Sequence, residues 1–258
     1  MNPNDPFDRE NLSPAEALLT EHEIAREFFQ RELYQRDGIS RLGGIEIRQP
    51  DGATIDLDES ETGRLFMIPD GSTVWALTLR EQDEAPAGLG VMSNSPFMAE
   101  DENTSVIAFR EGQGTSLHVD ALHIRRLMLA GDAPERLATV AFGLMAISAY
   151  RLGFGHISLF AAGNGPIDPD DPDGFVGFAV WPKFGFDSLL EPAELNMAPS
   201  EALRACRTVQ EVIAVDPDWW NVHGRGRDMR FDLSADSRSW TILLNYLYQS
   251  LPLQEIEP

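Results

Sequence analysis

From residue 105 onward the density of hydrophobic positions rises, and their period changes from stretch to stretch. Residues 105–110 and 117–129 predict β-strands, joined by a hairpin turn at Glu111-Gly112-Gln113-Gly114. Residues 134–152 carry Leu137, Val140, Phe142, Leu144, Met145, Ile147 and Tyr150 on nearly every side of a helix, and a helix apolar all round is a buried one. Asp132-Ala133-Pro134-Glu135 reads as the capping box that opens it, and Gly153 as the left-handed residue that closes it. Residues 156–162, apolar after His156, predict the next strand. Strand, short turn, buried helix, strand is a β-α-β unit, whose strands run parallel through a right-handed crossover.

The flanks are less dense. Residues 1–12 read as a polar, mobile start. Ser13-Pro14-Ala15-Glu16 reads as a capping box opening a helix to about Gln35, with Ala17, Leu18, Ile24, Phe28 and Leu33 on one face, stopped by Asp37-Gly38. Short strands are expected at 44–48, 54–57, 65–68 and 73–80, with turns at Asp51-Gly52 and Pro69-Asp70-Gly71. Residues 81–104 read as a long loop. Downstream come an acidic loop at 168–174, a helix near 199–214, the pair Trp219-Trp220, the run Gly224-Arg225-Gly226-Arg227, a strand at 231–233 and a closing helix at 237–250. Trp240, Leu243, Leu244, Tyr246 and Leu247 mark the inward face of that last helix. No repeat and no linker is visible. The expected architecture is α/β (α+β): a mixed central sheet with a buried crossover helix in one domain over 38–258, an N-terminal helical extension over 1–37 and a C-terminal elaboration from about 190.

Charge narrows the partners. A net charge of −22 opposes binding to nucleic-acid backbones or anionic membranes, and it reads either as a solubility surface or as one that mimics a polyanion or docks a basic protein partner. The single cysteine, Cys206, excludes an intramolecular disulfide and a multi-cysteine zinc site, and five scattered histidines give no ligand-spaced pair. In the acidic loop Pro172 stands where a calcium ligand is needed. The start has no secretory pattern and no apolar run reaches bilayer length, so a cytoplasmic location is the default expectation, with leaderless secretion left open. No Gly-x-Ser-x-Gly and no Cys/His pairing points to a hydrolase.

One place has the chemistry of an anion site. A turn between a strand end and a helix start presents backbone N–H groups and the positive end of the helix dipole. Here it spans Met128, Leu129, Ala130, Gly131, Asp132 and Ala133. Residues 121–165 hold Arg125, Arg126, Arg136 and Arg151 against Asp132 and Glu135, a net positive stretch in an acidic chain. As a plain tight turn the same residues need no ligand.

The order strand, Gly/Ala turn, long helix, strand ending near Asn164, then an aromatic ahead of Gly-Phe resembles the GNAT superfamily of N-acetyltransferases over about residues 105–190. That family's Gln/Arg-x-x-Gly-x-Gly/Ala cofactor pattern is met by Met128-x-x-Gly131-x-Ala133 in its small residues but not in its first position. Its later Ala-x-x-Tyr-x-x-Leu-Gly-Phe rhythm is met by Ala179-Val180-Trp181-Pro182-Lys183-Phe184-Gly185-Phe186, with Trp181 in the tyrosine place. The resemblance implies acetyl-CoA or another acyl-CoA as co-substrate and no metal. Its phosphates would lie near residues 128–133 and Arg136, with Asn164 and Trp181 along its path. It implies direct attack by an amine of a small molecule or protein, with Asp120, His118 or His123 as candidate bases. Strand alternation puts His118 and Asp120 on one face and His123 on the other. Arg225 and Arg227, with Trp219 beside them, are candidates to receive an acidic substrate group or the CoA 3′-phosphate. An indole has no accessible ionisation, so Trp181 cannot be the acid for the leaving thiolate. The chain is therefore expected to be an acyl-CoA-dependent N-acyltransferase using another acid, or a catalytically inactive binding, regulatory or effector protein on the same fold.

Overall fold

The computed structural model describes residues 5–30, 32–48, 54–80, 85–99, 102–113, 117–168, 174–196 and 198–251. The Asp51-Gly52 turn, Gly114 and residues 169–173 of the acidic loop lie outside them, as does the side chain of His118.

The β-branched and aromatic runs form nine strands among the described residues: β1 (Tyr34–Gln35), β2 (Ile45–Arg48), β3 (Thr54–Leu57), β4 (Thr73–Leu79), β5 (Gly88–Asn94), β6 (Thr104–Gln113), β7 (Leu117–Arg126), β8 (His156–Asn164) and β9 (Arg225–Asp232). Seven make one mixed sheet in the order β1-β4-β5-β6-β7-β8-β9, and β2-β3 is a separate hairpin. From β4 to β7 each strand pairs antiparallel with the next. β7 and β8 pair parallel, and β9 returns antiparallel along β8. The chain is thus of mixed α/β class.

The crossover between β7 and β8 is helix α4 (Leu137–Arg151); the helices before it are α1 (Ser13–Glu21), α2 (Glu23–Phe28) and α3 (Glu59–Leu65). Eleven of its fifteen residues are buried, as its all-round apolar pattern requires. Phe142 is fully buried at its centre, with ring centroids of Phe186, Phe184 and Phe231 at 5.2, 5.4 and 5.5 Å. Leu122, Ile124, Ile157, Leu159, Met229 and Phe231 belong to the same apolar cluster. A Cβ on Gly143 would lie 2.8 Å from a Leu19 methyl, so this glycine lets α1 approach α4 closely. After β8 come α5 (Gly177–Val180), α6 (Glu201–Arg204), α7 (Val209–Val215), α8 (Pro217–His223) and α9 (Arg238–Ser250). No helix among the described residues is long and apolar enough to cross a membrane.

Several expectations need correction. Residues 5–12 are structured: Asp8–Leu12 is a π-helical turn running straight into α1, with Phe7 and Leu12 buried. Ser13 therefore lies inside a helix instead of capping one. The helix expected to reach Gln35 breaks at His22, whose backbone turns extended while its ring accepts the Ile24 N–H at 3.2 Å; Tyr34–Gln35 is a strand. Leu65 ends a helix instead of opening a strand, because Asp58 and Glu61 form a reciprocal capping box around α3. The loop expected over 81–104 contains β5, a strand interior to the sheet. Its glycines hid it, yet Gly88 is required there: a Cβ on it would meet the Ala108 carbonyl oxygen at 2.3 Å. Glu111, Gly112 and Gln113 extend β6, and β9 starts at Arg225 within the glycine-arginine run, earlier than the strand expected at 231–233. The helix expected near 199–214 is two short ones, α6 and α7.

The N-terminal turn is tied to the end of α4 by charge. Arg151 donates to Asp8 at 2.9 and 3.0 Å and to Glu16 at 2.6 Å, and the Tyr150 hydroxyl donates to Asp5 at 2.6 Å. That hydrogen bond holds the Asp5 carboxyl below its usual value. Burial, together with Asp5, pushes the Tyr150 phenol from 10.0 up to about 12. A raised folded value means that the neutral phenol's contribution is full below pH 10.0 and lost as pH rises through about 12. Alkaline titration followed by circular dichroism should show this loss in the natural protein, and Tyr150→Phe should flatten it over that window.

Candidate functional site

The parallel pairing at the centre of the sheet is short. β7 and β8 are in register only from Ala121–His156 to Ile124–Leu159. β7 then runs two residues further to Arg126, while β8 runs five further to Asn164, paired with β9 alone. The last polar pair before the strands part is His123 opposite Ser158.

Alternation places that pair on the sheet face away from α4, because the neighbours Leu122, Ile124, Ile157 and Leu159 all join the α4 cluster. His123 is only 7% exposed, and its Nδ1 lies 3.0 Å from Ser158 Oγ. The Ser158 hydroxyl is placed to donate to the Leu122 carbonyl at 3.4 Å, which leaves its oxygen lone pair for the ring. With the ring N–H as donor in this contact the His123 proton lies on Nδ1, and with the Ser158 hydroxyl as donor it lies on Nε2; only the first of these tautomers suits a general base acting through Nε2.

The other two base candidates are placed differently. Asp120 is held by Arg110 through two hydrogen bonds of 2.7 and 3.1 Å, cross-strand on β6 and β7. The His118 backbone pairs with Gly112, and its side chain is outside the described residues.

The turn at 128–133 is not the start of the helix. Leu129 bridges Met98; the Ala99 N–H donates to Met128, and the Ala130 N–H to Phe97 at 2.9 Å. The Ala133 N–H turns back to Ala130. These residues thus form a short tie to the segment after β5. Gly131 and Asp132 are exposed, and a Cβ on Gly131 would meet nothing within 4 Å. The Asp132–Glu135 capping box does not form: α4 begins at Leu137 behind Arg136, which is left-handed (φ 70°) and supplies no side-chain cap. The Leu137 N–H already donates to the Pro134 carbonyl at 3.1 Å, so the open amides of that helix start are those of Ala138 and Thr139, several positions beyond the turn. A cavity of about 10 Å³ between Leu127, Leu129, Leu137 and Ala138 has room for roughly one water.

The remaining candidates scatter. Asn164 accepts the Gly226 N–H at 3.3 Å, on the β9 side of β8. Trp181 packs into the aromatic core, with centroids of Phe186, Phe184 and Phe142 at 5.3, 5.8 and 6.1 Å. Trp219 stacks near His223 at 4.9 Å, while its neighbour Trp220 is buried and donates to Phe178. Arg227 is spent on structure: it pairs with Glu194, donates to the Leu189 carbonyl and lies over the Trp220 ring. Arg225 is exposed on β9. The structure therefore brings together His123 with Ser158, and separates them from the turn and from Trp219.

Sequence reasoning missed Ser158. The signal was there in the alternation His156, Ser158, Phe160, but continuous apolarity masked it. Comparison with protein-family models, curated proteins and solved structures returns no match.

Proposed function

We propose that this chain is an acyl-CoA-dependent N-acyltransferase on a GNAT-like sheet. The observation that supports it most is the short parallel pairing of β7 and β8 around a buried helix, parting beside an oriented His123. In this reading the acyl thioester enters where the two strands part. An amine attacks its carbonyl carbon; the C–N bond forms, the C–S bond breaks, and the amine's proton passes to His123 Nε2 while CoA leaves as thiolate. Ser158 is a positioning residue that holds the His123 tautomer.

The helix start also moves the cofactor pattern. Arg136, Thr139 and Ala141 now fall where the family places Gln/Arg, Gly and Gly/Ala, with Arg136 at the cap and Thr139 and Ala141 both buried. Phosphates would meet Arg136 and the first amides of α4. Thr139 in the glycine place narrows that approach.

A thermal shift series tests the reading. Acetyl-CoA and CoA at millimolar concentration should raise the melting temperature, since saturation to a hundred times Kd adds about 2.7 kcal/mol. Arg136→Glu should abolish the shift, whereas Gly131→Glu, placed in open space, should leave most of it if the phosphates sit at the helix start. Loss in Gly131→Glu alone would return the site to the turn. No shift with either ligand would sink the acyltransferase reading.

A second reading, a non-catalytic binding protein on the same fold, is favoured by the half-buried Trp181, which packs against the aromatic core where an acid is expected. CoA binding without acyl transfer to any amine would select it.

A further inference from the structure

The contact between Ser158 and His123 also has the geometry of a nucleophile and its base. Ser158 Oγ and His123 Nδ1 are 3.0 Å apart, within the reach at which an imidazole activates a serine hydroxyl. The hydroxyl's other contact, the Leu122 carbonyl, is 3.4 Å away, long for an O–H···O hydrogen bond, so it leaves the hydroxyl able to turn its proton to the ring. The two residues are 35 apart in the chain, and only the register of β7 on β8 joins them, which is why no serine motif announces the pair.

The surroundings suit acyl chemistry. Ser158 keeps partial exposure beside the buried His123 ring. On the other side, Arg230 of β9 faces Ser158. Both backbone groups of Arg230 are bonded to Asp187 at 2.9 Å, so its pairing with Ser158 is the close, non-hydrogen-bonded kind. That puts the two Cα atoms roughly 4.5 Å apart with both side chains on one face of the sheet. A guanidinium there opposes the negative charge that develops on an acyl oxygen during attack. Two residues along β8 on the same face, Phe160 is 49% exposed and offers an apolar wall to a short acyl chain. Arg230 also lines a groove of about 510 Å³ beside β9, in the size range of small-molecule sites, which gives an acyl donor a place next to Ser158.

We infer that Ser158 is a nucleophile with His123 as its base, giving the chain a hydrolytic activity on short acyl esters and thioesters. Ser158 Oγ bonds to the acyl carbon and its proton moves to His123 Nδ1. The C–O or C–S bond breaks with its electron pair on the leaving atom, which takes the proton from the imidazolium. Water then attacks the acyl-serine. A new C–O bond forms, Nδ1 takes the water proton and returns it to Ser158 Oγ as the ester bond breaks, and the carboxylic acid departs. This uses the tautomer with the proton on Nε2, the opposite of the one used in direct amine attack, where Ser158 only positions the ring. It needs no contact to CoA and so stands apart from the transferase reading.

Two reagents test it on the full chain in amine-free buffer. The natural protein should hydrolyse p-nitrophenyl acetate, and diisopropyl fluorophosphate, whose serine adduct does not turn over, should stop that hydrolysis and label the peptide containing Ser158 in mass-spectrometric mapping. Ser158→Ala should lose the hydrolysis and the label. His123→Ala should slow both by about 10²–10⁴-fold, and Arg230→Gln should slow hydrolysis by about 10²-fold. Circular dichroism compares the folds, and the label on the natural protein is read without any variant. No label on that peptide, a label elsewhere, or hydrolysis that survives Ser158→Ala would overturn the inference. A CoA-dependent rise in melting temperature without labelling of Ser158 would leave the transferase reading standing alone; labelling without that rise would leave only the hydrolytic one.

Discussion

Phe142→Ala is expected to cost about 3–5 kcal/mol of folding stability. The ring is fully buried in the middle of α4 and lies against four aromatic side chains from two segments: Trp181, Phe184 and Phe186 from the stretch after α5, and Phe231 from β9. Removing it leaves a cavity that rigid neighbouring rings cannot collapse to fill, so the cavity cost adds to the lost transfer free energy. With a total stability on the order of 5–15 kcal/mol, the variant should melt on the order of 10 °C lower. Denaturant unfolding measures it directly. Tyr248→Ala, on the exposed side of α9 at 52% exposure, is the matched control and should change stability by no more than about 0.5 kcal/mol. Equal losses from the two substitutions would mean that Phe142 is not the centre of the core.

His123→Ala is expected to lower turnover by about 10²–10⁴-fold while leaving CoA binding intact. The ring sits on the face away from the helix start, so under the proposed reading its removal would take away the proton acceptor and spare the phosphate contacts. Thiol release from acetyl-CoA with a primary amine measures turnover, and the thermal shift measures binding. Ser158→Ala should give a smaller loss together with a displaced pH–rate profile, because the imidazole keeps its place but loses the partner that fixes its tautomer. A His123→Ala protein that turns over within about threefold of the natural chain would remove His123 from the chemistry, since general bases contribute far more than that.

Legibility followed periodicity. The β-α-β unit was readable because α4 has apolar residues on all sides, as its burial requires, and because β8 is almost continuously apolar, although its Phe160 is exposed. The closing helix was readable from its Ser237 cap and from Trp240, Leu243 and Leu247 at helical spacing, all three now buried. β5 was not readable, because its glycines suit a loop in isolation and only the Ala108 carbonyl of the neighbouring strand makes Gly88 necessary. The capping box read at Asp132–Glu135 was a true local pattern that lost to a tertiary contact: residues 128–130 are drawn to the segment at 97–99, and the helix can start only after Arg136.

The same division holds at the site. Alternation placed His123 on the face opposite Asp120, but the sequence had no means of choosing between them. The choice came from what lies across the strands: Arg110 opposite Asp120 neutralises one candidate, and Ser158 opposite His123 orients the other. So the sequence by itself determined the mixed α/β class, the buried crossover helix and a central strand bearing histidines and an aspartate, because these follow from local pattern and chain connectivity. Register between strands distant in the chain decided which side chains meet, and that is set by tertiary packing alone.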